Sequence, residues 1–335
     1  MKLQRAFLTS VLGLALAAPA WAGDPFIIDV GQDFSGNDRT TTGQIRTLAV
    51  SDSLATSFYF VETADEPVVE TADEPVQPLG ASIESGTRVA DTNIQSLMDS
   101  YGFQAGTFTA IDGTTEVEFR NPDPSQDRNV VNLNFLTGEG GIQGRNGFSS
   151  EDWFIDGEGW GLTYDYQIFG QVTNGGVFYD DGFVNVYYED GDSGDRTQVL
   201  RMLVERSDLQ LGNLDIFGRV VYEDFDFSEE FVQNFFRDVG TGKTFYELAS
   251  EEEGLMIPVS WRFDGNIDPP LPTDDQLVAF ESEDGTSVLV RQSEQDGTFR
   301  YEVPEPSVLL MMGSGLVLLG LALRVGRRED EEVAY

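Results

Sequence analysis

Glu189-Asp190-Gly191-Asp192-Ser193-Gly194-Asp195 places four carboxylates in seven residues. Calcium takes roughly six to eight oxygen ligands, and a Gly/Asp loop after a strand can converge side-chain and main-chain oxygens. Glu189, Asp190, Asp192 and Asp195 are therefore candidate Ca2+ ligands. The spacing is not that of an EF-hand, because Gly194 stands where a third ligand is expected and no glutamate completes the loop. A solvated acidic hairpin loop is the plain alternative. A second group sets carboxylates beside tryptophans, in Glu151-Asp152-Trp153 and Asp156-Gly157-Glu158-Gly159-Trp160. Trp153 and Trp160 are candidate carbohydrate platforms, and a carboxylate pair across a sugar is what a glycoside hydrolase needs. Buried tryptophans in a β-core would look the same. No catalytic residue emerges. Histidine and cysteine are both absent, which removes the usual zinc ligands and every Ser-His or Cys-His arrangement.

The elements that would carry these residues read as β. Ile45 to Val50 and Ser57 to Val61 have strand composition, Trp160 to Val172 alternates with Leu162, Tyr164, Tyr166, Ile168 and Gly170 on one side, and Phe183 to Tyr188, Thr197 to Val204 and Leu214 to Tyr222 continue the series. Asp112-Gly113 and Asp180-Asp181-Gly182 suggest hairpin turns. A helix is predicted over Asp91 to Gly102, with Ile94, Leu97, Met98 and Tyr101 on one face. A shorter amphipathic one opens at Phe225-Asp226-Phe227-Ser228-Glu229, with Asp226 and Glu229 at capping-box spacing, and runs through Phe235 and Phe236. Residues 61–78 hold an eight-residue tandem repeat, Val61-Glu62-Thr63-Ala64-Asp65-Glu66-Pro67-Val68 and its copy from Val69, too short for a solenoid and read as an extended acidic loop. The class is mainly β: an antiparallel β-sandwich or jelly-roll-like body over residues 23–268 with one or two short helices, then a linker and three-strand meander over 269–303.

Charge bounds the partners. Setting aside Lys2 and Arg5 at the start, and the three arginines and four acids from Arg324 onward, leaves 15 basic and 55 acidic residues, a net charge of −40. Such a surface repels nucleic acid and anionic lipid, attracts divalent cations and favours solubility.

The two ends of the chain carry addressing information. Lys2 and Arg5 precede a largely apolar run from Phe7 to Ala18, and Ala20-Trp21-Ala22 fits the small-x-small rule for signal peptidase, with cleavage before Gly23 and residues 1–22 as the signal peptide. At the other end stand Val303-Pro304-Glu305-Pro306-Ser307, seventeen uncharged residues from Ser307 to Leu323, and the arginines Arg324, Arg327 and Arg328. The run would reach about 26 Å as a helix, and arginines immediately after it favour an exported body. An acidic tail, residues 329–335, follows.

This three-part order, Pro304-Glu305-Pro306, transmembrane segment 307–323, then Arg324, Arg327 and Arg328, resembles the PEP-CTERM sorting signal of Gram-negative bacteria. The resemblance covers residues 304–328. It implies processing by an exosortase, a membrane-embedded enzyme similar to cysteine transpeptidases, with transient inner-membrane anchoring before release or attachment at the cell surface. Trp160-Gly161-Leu162, Phe183 to Tyr188, Phe225-Asp226-Phe227-Ser228 and Phe245-Tyr246 are distantly similar to flocculation-associated PEP-CTERM proteins. The expected function is an exported surface or extracellular-matrix protein, structural or adhesive in biofilm or floc formation, with exopolysaccharide as a possible partner. A secreted calcium- or carbohydrate-binding module is the alternative, and a secreted glycan-active enzyme stands behind both.

Overall fold

The computed structural model describes residues 24–32, 38, 40–61, 82–121, 130–135, 160–190, 195–210, 213–222, 229–250, 260–266, 271–282 and 285–302. The signal peptide, the acidic tandem repeat, Trp153, Asp192 and the whole sorting segment lie outside these residues. Among the described residues no helix is long and apolar enough to cross a membrane.

Eight strands form a ring. They are β2 (Ile45–Phe60), β3 (Arg88–Thr92), β7 (Trp160–Thr173), β8 (Gly176–Asp190), β9 (Arg196–Gln210), β10 (Asn213–Val221), β12 (Ser260–Asn266) and β14 (Ser287–Glu302). Each pairs antiparallel with the next, and β14 returns to pair with β2 from Val288↔Phe60 to Arg300↔Thr47. Four shorter strands extend this sheet. β6 (Val130–Phe135) shares the gap between β2 and β7 with β3, β13 (Val278–Glu281) lies on the first part of β14, and β1 (Phe26–Ile28) joins β2 to β11 (Phe236–Asp238). A separate hairpin, β4 (Gly106–Thr109) and β5 (Glu116–Phe119), turns at Asp112-Gly113 as predicted.

The mainly antiparallel β class agrees with expectation, but the two stacked layers of a sandwich or jelly roll are replaced by a sheet closed on itself. Closure hides the edges that an open sheet would present. It depends on the pairing of strands some 240 residues apart, which no local pattern reveals. Two pairs of predicted strands are also single elements: residues 45–50 and 57–60 belong to β2, and two strands of the expected meander are the ends of β14. β14 is a stave of the ring rather than part of a separate unit. Asp180-Asp181-Gly182 is no hairpin turn. β8 runs through it with a bulge opposite Phe169/Gly170, where two backbones meet so closely that a Cβ on Gly170 would lie 2.0 Å from the Phe178 carbonyl oxygen.

The interior is packed with side chains. Leu162, Tyr164, Tyr166 and Ile168 of β7 point inward as their alternation predicts, meeting Val184, Val186, Leu200, Met202, Leu289 and Phe299. One pole is filled by a small helical cap. α2 (Glu230–Asn234) and α3 (Phe245–Ser250) flank β11, and Phe26, Phe235, Phe236, Phe245 and Tyr301 interlock there, the last two with ring centroids 4.3 Å apart. These aromatic contacts hold the cap to the ends of β8 and β14.

A second, smaller core lies on the outer wall. α1 (Gln95–Ser100) is shorter than the predicted helix, because Asp91 and Thr92 belong to β3 and are not caps. Met98 and Phe103 pack with Phe58, Ala90, Phe119, Val278, Val288 and Val290. Gly102, at φ +82°, lets the chain pass against the Glu281 carbonyl, where a Cβ would come within 2.2 Å.

Candidate functional site

Of the predicted acidic loop, Glu189, Asp190 and Asp195 are described, and Glu189 is buried and paired. Glu189, near the end of β8, is 5% exposed. It accepts a hydrogen bond from Thr163 Oγ1 at 2.7 Å and pairs with Arg196 Nε at 3.4 Å. Arg196 also reaches Asp165 at 3.6 Å and lies over the Tyr187 ring, 3.6 Å from its centroid. The loop is closed from Asp190 N–H to the Asp195 carbonyl at 3.0 Å. A cation bound here would draw on Asp190, Asp195 and the residues between them, with Glu189 already neutralised by Arg196. Among the described residues no group of three or more acidic side chains is arranged to hold a metal ion.

Trp160 is 2% exposed and stacks on Tyr188 at 6.1 Å inside the barrel. The expectation of a sugar platform fails at this residue, since β7 directs its ring into the core and leaves no face for a ligand. Among the described residues its indole Nε1 meets no hydrogen-bond partner.

The side-chain cluster that sequence reasoning missed lies at mid-barrel. Asp91 of β3 is 3% exposed and gathers groups from neighbouring and facing strands. It accepts from Ser57 Oγ of β2 at 2.5 Å, from the Tyr166 hydroxyl of β7 at 2.6 Å and from the Tyr179 hydroxyl of β8 at 3.4 Å. Arg291 of β14, 4% exposed, supplies the opposing charge. Tyr59 is in hydrogen-bonding contact with both Ser57 and Arg291. Burial raises the Asp91 carboxyl above its usual range, against the lowering effect of Ser57, Tyr166, Arg291 and Tyr179. Burial followed by the Asp91 charge holds Tyr166 and Tyr179 well above a normal phenol, and Tyr59 is pushed up to about 12, chiefly by burial.

Chemically, this constellation is a clasp. These side chains face a closed, packed interior. Five strands converge on one carboxylate. The only sequence signal was the out-of-pattern aspartate in Val89-Ala90-Asp91, obscured by its resemblance to a helix cap.

The outer wall carries charge. Arg219 pairs with Glu205 at 3.2 Å, their side chains 46% and 56% exposed, and Arg206 lies over Phe217 at 3.9 Å. Asn185 binds Asp165, Gln198 and Arg201 on the same face. A side-chain-packed interior within a charged wall differs from a membrane-spanning barrel, which turns an apolar band toward lipid. Comparison of the chain with family models, with curated proteins and with solved structures returns no significant match.

Proposed function

We propose that this chain is an exported, noncatalytic surface or extracellular-matrix protein, addressed by its carboxyl-terminal segment to an exosortase and serving a structural or adhesive role in biofilm or floc formation. The observation that carries this reading is the order Pro304-Glu305-Pro306, apolar run 307–323, and Arg324, Arg327 and Arg328, together with the signal-peptide pattern of residues 1–22. The body is consistent with it. A closed barrel with a packed interior and charged wall suits a durable part outside the cell, and its buried Asp91 cluster joins strands.

Mass spectrometry of the mature carboxyl terminus, from culture medium and from the cell envelope, tests the address. A chain ending between Pro304 and Ser307 is the expected result. An intact Tyr335 in both fractions would replace sorting with a permanent anchor. Deleting the protein should reduce aggregation and matrix retention, and unchanged flocs would remove the adhesive role.

A further inference from the structure

The first and last described stretches of the chain meet at one point of the barrel. Asp24, two residues beyond the predicted signal-peptide cut, donates its N–H to the Tyr301 carbonyl at 3.1 Å. Tyr301 is 0% exposed, and its hydroxyl donates to Asp238 at the cap. The last described residue, Glu302, is still paired with Ser260 of β12. Only Val303 to Pro306 then separate β14 from the apolar run that opens at Ser307. Those residues and Ser307 itself span at most roughly 18 Å fully extended, so an inserted run keeps the tethered pole close to the lipid.

The surface beside this exit differs from the rest of the molecule. The turn after β11 puts Val239 outward at 37% exposure, one of two exposed large apolar residues among those described. Its N–H is fixed to the Pro25 carbonyl at 3.0 Å, next to the incoming chain. Lys243, the one lysine of the body, closes the same turn by accepting at its carbonyl from Asp238 N–H, and Arg237 Nη1 donates across it to the Gly242 carbonyl. Glu229, Glu230 and Glu247 of the neighbouring helices are exposed on the cap.

We propose that, while its carboxyl-terminal segment is in the membrane, the barrel stands on its capped pole with the Val239–Lys243 turn against the lipid headgroups. The inference rests on the membrane segment of the proposed function and adds an orientation to it. The short tether imposes the contact, because a body of net charge −40 has no electrostatic reason to approach anionic lipid. Arg237, Lys243 and Val239 are what the turn offers the headgroups, beside the acids of the cap and of the Glu189–Asp195 loop at the same pole. Processing between Pro304 and Pro306 would then take place in the narrow space between barrel and bilayer, and the sorting enzyme would meet this face.

The absence of cysteine makes the test direct. Val239→Cys and Phe178→Cys variants of the exported, unprocessed chain each carry one fluorophore. Phe178 is 36% exposed near the far end of β8, roughly 35 Å along the strand from the capped pole. Each is reconstituted in phosphatidylglycerol–phosphatidylcholine vesicles containing headgroup-nitroxide lipid. Quenching severalfold stronger at position 239 than at 178 supports the orientation, and equal or reversed quenching overturns it. A twelve-residue Gly/Ser insertion after Glu302 should equalise the two labels. A difference that survives the insertion unchanged would overturn the tether as its cause. A chain that does not float with the vesicles would remove the membrane segment itself, a failure distinct from a wrong orientation.

Discussion

Asp91 and Arg291 are the residues on which the barrel's internal polarity is balanced. Removing one partner of a buried ion pair leaves the other uncompensated, at a cost of about 3–5 kcal/mol. Arg291→Met should therefore lower the urea midpoint strongly, whereas Asp91→Asn combined with Arg291→Met should recover much of the loss. Equal damage from the single and double variants would show that packing, not charge, is at stake. The pH dependence has a defined sign. Burial raises the Asp91 carboxyl above 3.8, so the folded protein holds this proton at a higher pH than the unfolded chain. Its ionisation costs stability at neutral pH, and that cost fades as pH falls through the folded value. Relative to the Asp91→Asn variant, the wild type should gain stability between pH 7 and pH 4.5. Paired urea titrations at the two pH values check this.

At the scale of elements, bulges and close approaches decide where the staves bend. Gly170 and Gly182 lie where β7 and β8 pass backbone to backbone, and a methyl group on Gly170 would overlap the Phe178 carbonyl. Gly170→Ala should reduce thermal stability by several degrees, as measured by circular dichroism, while Gly175→Ala, with open space around it, should spare the packing there. Periodicity made part of this legible. The inward row Leu162, Tyr164, Tyr166, Ile168 is visible in the sequence because each residue obeys a period of two. β3 was hidden because Asp91-Thr92 ahead of an apolar stripe also fits a helix start. The cap was legible in part: the helix read through Phe236 is there as Glu230–Asn234, but Phe236 opens a strand and Phe245 joins it only after three short elements fold together. Trp160 misled for a related reason: carboxylates beside it in sequence say nothing about which way a strand turns its ring.

For the whole molecule, net charge and closure set the behaviour. Fifty-five acids in the body repel one another over distances that salt shortens, to about 10 Å at 0.1 M ionic strength. Raising sodium chloride from 10 mM to 500 mM should raise the melting temperature, and an unchanged value would mean that surface pairs such as Glu205–Arg219 already neutralise the field. Closure has a temporal consequence as well. The seam joins Thr47–Phe60 to Val288–Arg300, so a chain threaded outward from its amino terminus cannot complete its first stave's pairing until its last stave has emerged. Until then β2 presents an unpaired edge, and long-range pairing of this kind is intrinsically slow. On the proposed export route the sheet stays open until then. It seals only when Val288–Arg300 arrive, just ahead of the proposed sorting signal, so that on this route maturation of the fold and delivery of the address would be nearly the same event.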